Sequence, residues 1–337
     1  MKKSDVVDMR KILFAIFKVL KRAESFLYKR AIDFLVPEIF ECDKDRTPTF
    51  YKKANFLRDV IFERIYKNLK PKGIIPISVQ GRKMYVDCDD MSMSPYLLLD
   101  GIWERHKTIL FNQMVKKGMT VVDVGANIGY YTLIAAQLVG PTGVIYAFEP
   151  CPVSYDLLCK NIKINGYTNV IVSPKGVSDK SNKSRLWFSR ENTLNPSFSK
   201  QNLLNYSNGF GTKKGKVEFI DINTISLDDF FSGEINDEKI DFIKIDVEGA
   251  EALVINGAER ILARNPSVKI IMEFCPHAIT NVGSNPLDLI KKLKSYNFEV
   301  KYISKKQPFL RDIDLLDLYR RMDPNKGFDL LAERKNE

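Results

Sequence analysis

Histidine and closely spaced cysteine, the usual ligands of zinc sites, are scarce in this sequence. The 337 residues include two histidines, His106 and His277, and five scattered cysteines with no Cys-x-x-Cys pair. A zinc site needs a full set of such ligands at short spacing, and a disulfide framework needs an even, patterned set of cysteines. The sequence therefore predicts no metal site and no disulfides, and it fits a reducing compartment.

Long hydrophobic runs are also missing. The most apolar stretch near the N-terminus, residues 12–17, lies between Lys11 and Lys18, whereas a membrane-spanning helix needs about 20 apolar residues. The same stretch is too short for the apolar core of a signal peptide, and no clear cleavage site follows it. We therefore expect an intracellular, cytoplasmic protein.

Acidic residues are in the minority, and much of the positive excess lies at the N-terminus. The net charge is +10, and residues 1–30 hold nine Lys and Arg against three Asp and Glu. The remaining chain is close to neutral, which argues against a nucleic-acid partner. Residues 6–35 have the apolar periodicity of an amphipathic helix. Such a helix would lie peripherally on the anionic inner face of a membrane, pack on the protein's own core, or join subunits of a homo-oligomer.

Helix and strand patterns divide the chain into three parts. We expect a basic helical extension over 1–72, a hairpin and a helix over 73–117, and a catalytic domain over 118–337. Strands and helices alternate in the last part, which predicts an α/β fold with a mainly parallel sheet and helices on both faces. One helix is expected over Ala250–Ala263. An insertion over 179–224 predicts an antiparallel pair around a long polar loop, a candidate lid over the substrate.

The turn after the first strand of the catalytic domain carries a ligand-binding pattern. Asp123 precedes Gly125 and Gly129 in a Gly-x-x-x-Gly spacing, and Glu149 ends the next strand. Parallel sheets bind ligands at the carboxyl ends of their strands, where such an acid can accept hydrogen bonds from ribose hydroxyls. A dinucleotide site would instead have Gly-x-Gly-x-x-Gly, with a pyrophosphate at the helix start. The acidic turn favours S-adenosylmethionine, a positively charged nucleoside without phosphate, over NAD.

More carboxylates follow two later strands. Asp246 and Glu248 come at the end of one apolar strand, and Glu273 lies in another with His277 shortly after it. Such groups can take a proton from an acceptor hydroxyl or hold an ammonium group. For Glu248 and Glu251 the alternative is a favourable charge near a helix N-terminus, which is the interpretation we prefer for Glu251. We predict Asp246 or His277 as the catalytic base, with Glu248 and Glu273 as further candidates.

Five motifs in fixed order make the sequence similar to the FkbM family of methyltransferases: DVGANIGYYT, YAFEP, TISLDDF, IDFIKIDVEGAE and IIMEF. The resemblance extends over residues 85–335. It implies a seven-stranded Rossmann-like methyltransferase sheet whose last strand is antiparallel, S-adenosylmethionine as cofactor, and O-methylation of sugar or natural-product hydroxyls. Carried onto this chain, it implies the following cofactor-binding residues: Asp123, Gly125, Ala126, Asn127, Gly129, Glu149 and Pro150, together with Glu104, Val177 and Asp246.

Three other functions stay open at this point. An RNA or DNA methyltransferase would make use of the positive charge, although no Asn-Pro-Pro-Tyr-like tetrapeptide follows the fourth strand. A non-catalytic membrane-surface or assembly module would use the fold as a scaffold. An NAD-dependent dehydrogenase would need a different glycine spacing. The partner we expect is a small-molecule or glycan hydroxyl, including that of a glycolipid, and the sequence does not identify it further.

Overall fold

The structure, a computed structural model, describes residues 70–189, 192–206, 217–232, 239–304, 310–311 and 327–334. The chain forms two compact units, 1–77 and 78–337. The predicted helix over 6–35 and most of the predicted extension over 1–72 lie outside the described residues, so their membrane or subunit contacts stay predictions. Among the described helices, none combines the length and the apolar character needed to cross a membrane.

The described residues contain fourteen strands and ten α-helices. The strands are β1 (Ile74–Val79), β2 (Arg82–Asp87), β3 (Thr120–Val124), β4 (Val144–Phe148), β5 (Val170–Ser173), β6 (Gly176–Val177), β7 (Asn182–Ser189), β8 (Asn192–Ser197), β9 (Val217–Ile225), β10 (Phe242–Ile245), β11 (Lys269–Phe274), β12 (Phe298–Ile303), β13 (Leu310–Arg311) and β14 (Phe328–Arg334). The helices are α1 (Ser94–Leu99), α2 (Arg105–Met114), α3 (Tyr130–Val139), α4 (Pro152–Asn165), α5 (Lys200–Tyr206), α6 (Leu227–Phe230), α7 (Glu251–Asn256), α8 (Glu259–Arg264), α9 (Pro276–Asn281) and α10 (Pro286–Ser295). β1 and β2 are the strands of the predicted hairpin, with Gly81 between them at a φ of +82°.

The main sheet has the strand order β13-β12-β14-β11-β10-β3-β4-β5. Strands β3, β4, β5, β10 and β11 are parallel, whereas β14 is antiparallel to both of its neighbours, β11 and β12. Seven of these strands have four residues or more, and β13 adds a two-residue eighth strand at the edge. The predicted α/β fold, with seven main strands and an antiparallel last strand, is confirmed.

The central strands are apolar on both faces because helices cover both sides of the sheet. All five residues of β3 are buried, and so are all four of β10. A parallel sheet of this kind needs continuous apolar runs, whereas a sheet with one wet face needs alternation. Since β3, β4, β10 and β11 run in the same direction, their carboxyl ends meet at one edge. The predicted acids lie there, near the ends of β3 and β11 and just after β4 and β10.

The helix predicted over Ala250–Ala263 is wrong in one respect, because the structure has two short helices, α7 and α8, there. The break falls at Gly257, whose carbonyl oxygen accepts the backbone N–H of Asp228 at 2.8 Å and so does not continue the helical ladder. A side chain at Gly257 would overlap the carbonyl oxygen of Ser178. Close packing of this helix end against another segment therefore requires the glycine and interrupts the helix.

The insertion over 179–224 contains more regular structure than the predicted loop. Strands β7 and β9 pair antiparallel as expected, but the segment between them adds β8 and α5 to a second sheet of order β6-β9-β7-β8. β8 includes Pro196, a residue typical of loops, which a strand tolerates at the edge of a sheet. The edge position of β8 explains why composition alone predicted a loop here.

Candidate active site

The cleft of this fold opens at the carboxyl ends of β3, β4, β10 and β11. The turn after β3 is anchored to β4, because the N–H groups of Gly125 and Ala126 both donate to the carbonyl of Phe148 at 3.0 Å. Gly125 has a φ of +77°, and a Cβ on it would overlap the carbonyl oxygen of Asp246 after β10. The backbone of two strand ends is therefore packed too closely for any side chain at Gly125.

Glu149 is held rigidly at the floor of this cleft. One carboxylate oxygen accepts the N–H of Asn127 and the other accepts the N–H of Cys151, both at 2.8 Å. The residue is 4% exposed, and burial raises the pKa of its carboxyl to about 7 despite these two hydrogen bonds. The predicted cofactor residues Ala126, Asn127 and Pro150 line the cleft beside it.

Asp123 and Gly129 stabilise the turn after β3 but do not line the cleft. The Asp123 carboxylate accepts the Thr132 hydroxyl at 2.6 Å and lies 3.4 Å from the ammonium of Lys244. Lys244 donates in turn to the carbonyl of Gly125 at 2.9 Å. Gly129 begins α3 at a φ of +94°. Asp123 therefore acts on the cleft through Lys244, a residue for which the sequence predicted no role.

Two buried lysines organise the carboxylates on one side of the cleft. Lys107 is 1% exposed, and its ammonium lies 2.8 Å from Glu104, 2.7 Å from Asp329 and 3.5 Å from Asp246. Lys244 reaches the same Asp246 oxygen at 3.6 Å. Burial alone would lower the pKa of Lys107, but the three carboxylates raise it well above its ordinary value. Both lysines are therefore charged, and together they bridge carboxylates from four different segments.

Sequence reasoning missed Lys107 and Asp329. The two residues pair at 2.7 Å although more than 200 positions separate them in the chain, and neither stands in a recognisable motif. Glu104, in contrast, was predicted, and it lines the cleft, where it also accepts the Tyr131 hydroxyl at 3.1 Å. Val177 lines the cleft as well.

A second group of carboxylates consists of Asp246, Glu248 and Glu273. Their oxygens lie within 4.8 Å of one another, and all three residues line the cleft. One oxygen of Glu273 is buried without a hydrogen-bond partner. Burial, followed by repulsion from Glu248 and Asp246, raises the pKa of Glu273 well above the usual carboxyl range. Glu273 is therefore more basic than an ordinary glutamate.

Backbone strain is concentrated around this cleft. Among the described residues, five that are not glycine have a positive φ. Three of the five line the cleft: Glu104 at 41°, Asn127 at 52° and Glu248 at 53°. Strained backbone persists where surrounding contacts enforce it, and it clusters at functional sites.

His277 lies on α9 and is not among the residues that line the cleft. The structure therefore brings together Asp246, Glu248 and Glu273 of the four predicted catalytic candidates. Other walls are formed by the aromatic residues Trp103, Tyr130 and Tyr131, and by Leu186, Pro196 and Phe198 from the insertion. The insertion thus contributes directly to the wall of the cleft, and its role as a lid stays a prediction.

Glu251 lies in the first turn of α7, where an acid was expected near a helix N-terminus, but its side chain is buried. It is 0% exposed, and one carboxylate oxygen accepts the N–H groups of Val247 and Gly249 at 3.2 Å. The other oxygen is buried without a partner. Burial raises the pKa of Glu251 to about 7, so this carboxyl serves mainly to fix the loop after β10.

The raised pKa of Glu251 makes folding stability depend on pH. The carboxyl keeps its proton up to about pH 7 in the folded chain but loses it near 4.5 when unfolded, so its stabilising effect is full below 4.5 and is lost as the pH rises through 7. We expect Glu251→Gln, which keeps the accepting oxygen, to reduce the loss of unfolding free energy between pH 5 and 8 by about 2–3 kcal/mol.

Urea denaturation at several pH values measures this difference. Glu259→Gln is the matched control, because Glu259 begins the next helix but its side chain is 54% exposed. Equal pH dependence of the wild type and Glu251→Gln would contradict the assignment.

Comparison with known proteins places these motifs in a family. The family described as "Methyltransferase FkbM domain" matches residues 123–300, a range that includes the turn after β3 and Glu273. The chain is 30% identical over 156 residues to Methyltransferase sdnD of Sordaria araneosa and 24% identical over 145 residues to Methyltransferase 1 of Beauveria bassiana. Each match covers 41% of this chain, and the chain spans 60% and 58% of these two relatives. A SAM-dependent O-methyltransferase of known structure from Thermotoga maritima is 14% identical to this chain. The match covers 80% of this chain and 81% of the Thermotoga chain, with a TM-score of 0.37.

Proposed function

Because this chain belongs to the family of FkbM-domain methyltransferases, we propose that it transfers a methyl group from S-adenosylmethionine to a hydroxyl of a sugar, glycan, glycolipid or natural product. The predicted family is confirmed, since residues 123–300 contain all five motifs. The hydroxyl acceptor is the finer part of the proposal.

The charge of the cleft is the observation that carries the proposal. Five carboxyl side chains and one lysine, Lys244, line it. The acids outnumber the lysine even without the three whose pKa is raised, Glu104, Glu149 and Glu273. A dinucleotide or another phosphate ligand would be repelled here, whereas a sulfonium and an ammonium group would be attracted. The glycine turn and Glu149, the elements of a nucleoside site, lie in the same cleft. The residues present therefore fit S-adenosylmethionine.

Different residues would hold different parts of the cofactor. Glu149 has a carboxylate fixed by two backbone N–H groups and would accept hydrogen bonds from the ribose hydroxyls. Glu104 and Asp246 carry the negative charge that would hold the ammonium group, with Lys107 between them. When bound, S-adenosylmethionine supplies a methyl group on a sulfonium with a neutral leaving group, and in-line displacement needs mainly correct orientation.

The acceptor side of the cleft would supply the proton acceptor. Asp246 lies 3.5 Å from the Lys107 ammonium and 3.6 Å from that of Lys244, so its carboxylate is engaged in the ion network. Glu273 has the opposite environment, a buried oxygen without a partner and two carboxylates nearby. Glu273 in its ionised form would therefore take the proton of the acceptor hydroxyl. The hydroxyl oxygen would form the new bond to the methyl carbon as the bond from that carbon to sulfur breaks and a neutral thioether leaves.

Replacement of Glu149 tests the cofactor site. We expect Glu149→Gln to weaken binding of S-adenosylmethionine by about 10- to 100-fold, because an amide cannot accept from both backbone N–H groups and the ribose. In the wild type, the affinity for S-adenosylmethionine should rise as the pH passes about 7, because Glu149 ionises there. In the variant, the affinity should not show this rise. Isothermal titration at pH 6, 7 and 8 measures both effects.

Glu259→Gln, on the exposed surface, is the control for the titration. A wild-type protein that does not bind S-adenosylmethionine would end the proposal altogether. Binding that is equal in the wild type and Glu149→Gln would remove Glu149 from the site while leaving the function standing.

The acceptor is identified by a transfer screen with labelled cofactor against sugars, glycolipids, natural products and RNA. Label on a hydroxyl-bearing small molecule or glycan is the expected result. Label on RNA alone would replace the proposed substrate class with a nucleic acid. Retention of the label after treatment with mild base identifies a methyl ether formed from an alcohol, because mild base hydrolyses the methyl ester of a carboxylate and releases methanol.

A further inference from the structure

The loop that carries Glu248 is clamped by the insertion. Glu248 has a φ of 53°, in the left-handed region that side chains other than glycine disfavour. Its carbonyl oxygen accepts the Ser197 hydroxyl at 2.7 Å and the side-chain amide of Asn202 at 2.9 Å. Ser197 and Asn202 are 1% and 2% exposed, so both hydrogen bonds are shielded from water. These bonds hold the backbone of Glu248 in a conformation that it would not adopt by itself.

Asn202 also joins this loop to the segment that follows Glu273. Its amide nitrogen lies 3.0 Å from the Ser197 hydroxyl and 3.2 Å from the carbonyl of Ala278, and its oxygen accepts the Asn281 amide at 2.8 Å. Ala278 and Asn281 belong to α9, directly after β11. One buried side chain therefore connects the insertion, the Glu248 loop and the helix after the strand that carries Glu273.

The glycine after Glu248 completes this junction. Gly249 has a φ of +105°, and a Cβ on it would overlap the carbonyl oxygen of Ala278 and approach the Asn202 amide nitrogen to 2.9 Å. The loop thus lies against α9 with no room for a side chain. Movement of the Glu248 loop away from α9 is opposed by the hydrogen bonds of Asn202, and movement toward it is opposed by direct contact.

We propose that Ser197 and Asn202 are positioning residues that fix the separation of the Glu248 and Glu273 carboxylates on the acceptor side of the cleft. The proposal rests on the proposed function, in which Glu273 takes a proton. Two carboxylates held close together make each other more basic, and the effect falls as they separate. The insertion therefore sets the basicity of Glu273 through the backbone of Glu248, in addition to lining the cleft.

The test is a pH titration of the Glu273 carboxyl by NMR in the full chain labelled with ¹³C-glutamate. Glu273→Gln and Glu248→Gln identify the two resonances by their loss. In the wild type the Glu273 resonance should titrate above the ordinary carboxyl range. In Ser197→Ala and Asn202→Ala the midpoint should fall by about one pH unit, because Glu248 is no longer held nearby. Asp246, Glu251 and Lys107, which also act on Glu273, are unchanged in these variants.

Asn265→Ala is the matched control. Asn265 is 6% exposed, accepts the N–H of Ile240 and donates to the carbonyl of Ile261, both at 2.9 Å, and it does not line the cleft. Its loss should lower stability without moving the Glu273 midpoint. Ser197→Ala removes one hydroxyl only, so it keeps the test available if Asn202→Ala fails to fold.

An unchanged Glu273 midpoint in folded Ser197→Ala or Asn202→Ala would overturn the clamp. The same result follows if Asn265→Ala moves the midpoint equally, since the shift would then reflect general loosening. Titration with S-adenosylmethionine separates this outcome from failure of the proposed function, because it tests cofactor binding and does not depend on the Glu248 loop. With an acceptor from the screen, Ser197→Ala should lower kcat while the cofactor Kd stays within about twofold of wild type.

Discussion

Replacement of Gly125 with alanine is expected to weaken binding of S-adenosylmethionine by more than about 100-fold. The added Cβ would overlap the carbonyl oxygen of Asp246 and lie 2.9 Å from its carbonyl carbon. Both are backbone atoms, so no side-chain rotation can relieve the overlap. The turn after β3 and the end of β10 would have to separate, and the Gly125 carbonyl would lose its hydrogen bond from Lys244. Isothermal titration with the cofactor measures the effect.

Gly166→Ala provides a control with the same backbone strain and no overlap. Gly166 ends α4 at a φ of +70°, close to the +77° of Gly125, and nothing lies within 4 Å of the position of a Cβ. Both substitutions place alanine in a left-handed conformation, which costs about 1–2 kcal/mol. The difference in cofactor affinity between the two variants therefore isolates the contact with Asp246. Equal affinities would show that the turn does not shape the cofactor site.

The parts of the site that the sequence predicted are those built from local pattern. The turn after β3 follows directly from a buried strand, an acid and two glycines, and Glu149 ends the next parallel strand. In a parallel sheet, successive strand ends are brought to one edge by topology alone. Asn127 and Glu149, which are hydrogen-bonded at 2.8 Å, could therefore be placed together without knowledge of the rest of the fold.

The residues that the sequence missed act over long separations. Lys107 pairs with Asp329 through the antiparallel position of β14 between β11 and β12, and no local pattern encodes that strand order. Lys244 gave one usable signal, a charge inside the apolar strand β10. A buried lysine is rare unless it is paired, so this residue could have been recognised as part of an ion network.

The distinction between functional and structural acids also needed the fold. Glu248, Glu251 and Glu273 all follow or interrupt apolar strands. Their spacing in the sequence does not show which of them line the cleft and which support the fold. The structure places Glu248 and Glu273 in the cleft but turns Glu251 into the interior, where it accepts backbone N–H groups. A change of backbone direction at Glu248 and Gly249, both with positive φ, produces this difference between neighbouring residues.

The ion network and the acceptor-side carboxylates give the cleft two chemically different sides. The ammonium groups of Lys107 and Lys244 lie 3.5 and 3.6 Å from Asp246, so this carboxylate belongs to the ion network. Glu273 lies about as near to other carboxylates but has an oxygen without a partner, which suits a group that gains and loses a proton. Both sides use carboxylates, and the position of the lysines decides the role of each one.

Glu273→Gln is expected to lower kcat by about 10²- to 10⁴-fold, the range for loss of a general base. The amide keeps the shape of the side chain but cannot accept the acceptor's proton. Cofactor affinity should change little, because the proposed cofactor contacts are made by Glu149 and the turn after β3. In the wild type, kcat should rise with pH as Glu273 loses its proton, with the midpoint above the ordinary carboxyl range because its pKa is raised. This limb should be absent in the variant.

Glu251→Gln separates proton transfer from a general change of charge. Glu251 also acts on Glu273 electrostatically, but it is fully buried and does not line the cleft. Removal of its charge should shift the pH-dependent rise of kcat to lower pH while turnover persists, since one carboxylate fewer then opposes ionisation of Glu273.

Turnover in EDTA and in added Mg²⁺ is measured alongside, because Asp246, Glu248 and Glu273 lie close enough to share a cation. Full activity of Glu273→Gln with an unchanged pH profile would exclude Glu273 as the base, and loss of activity in Glu248→Gln alone would transfer the role to Glu248.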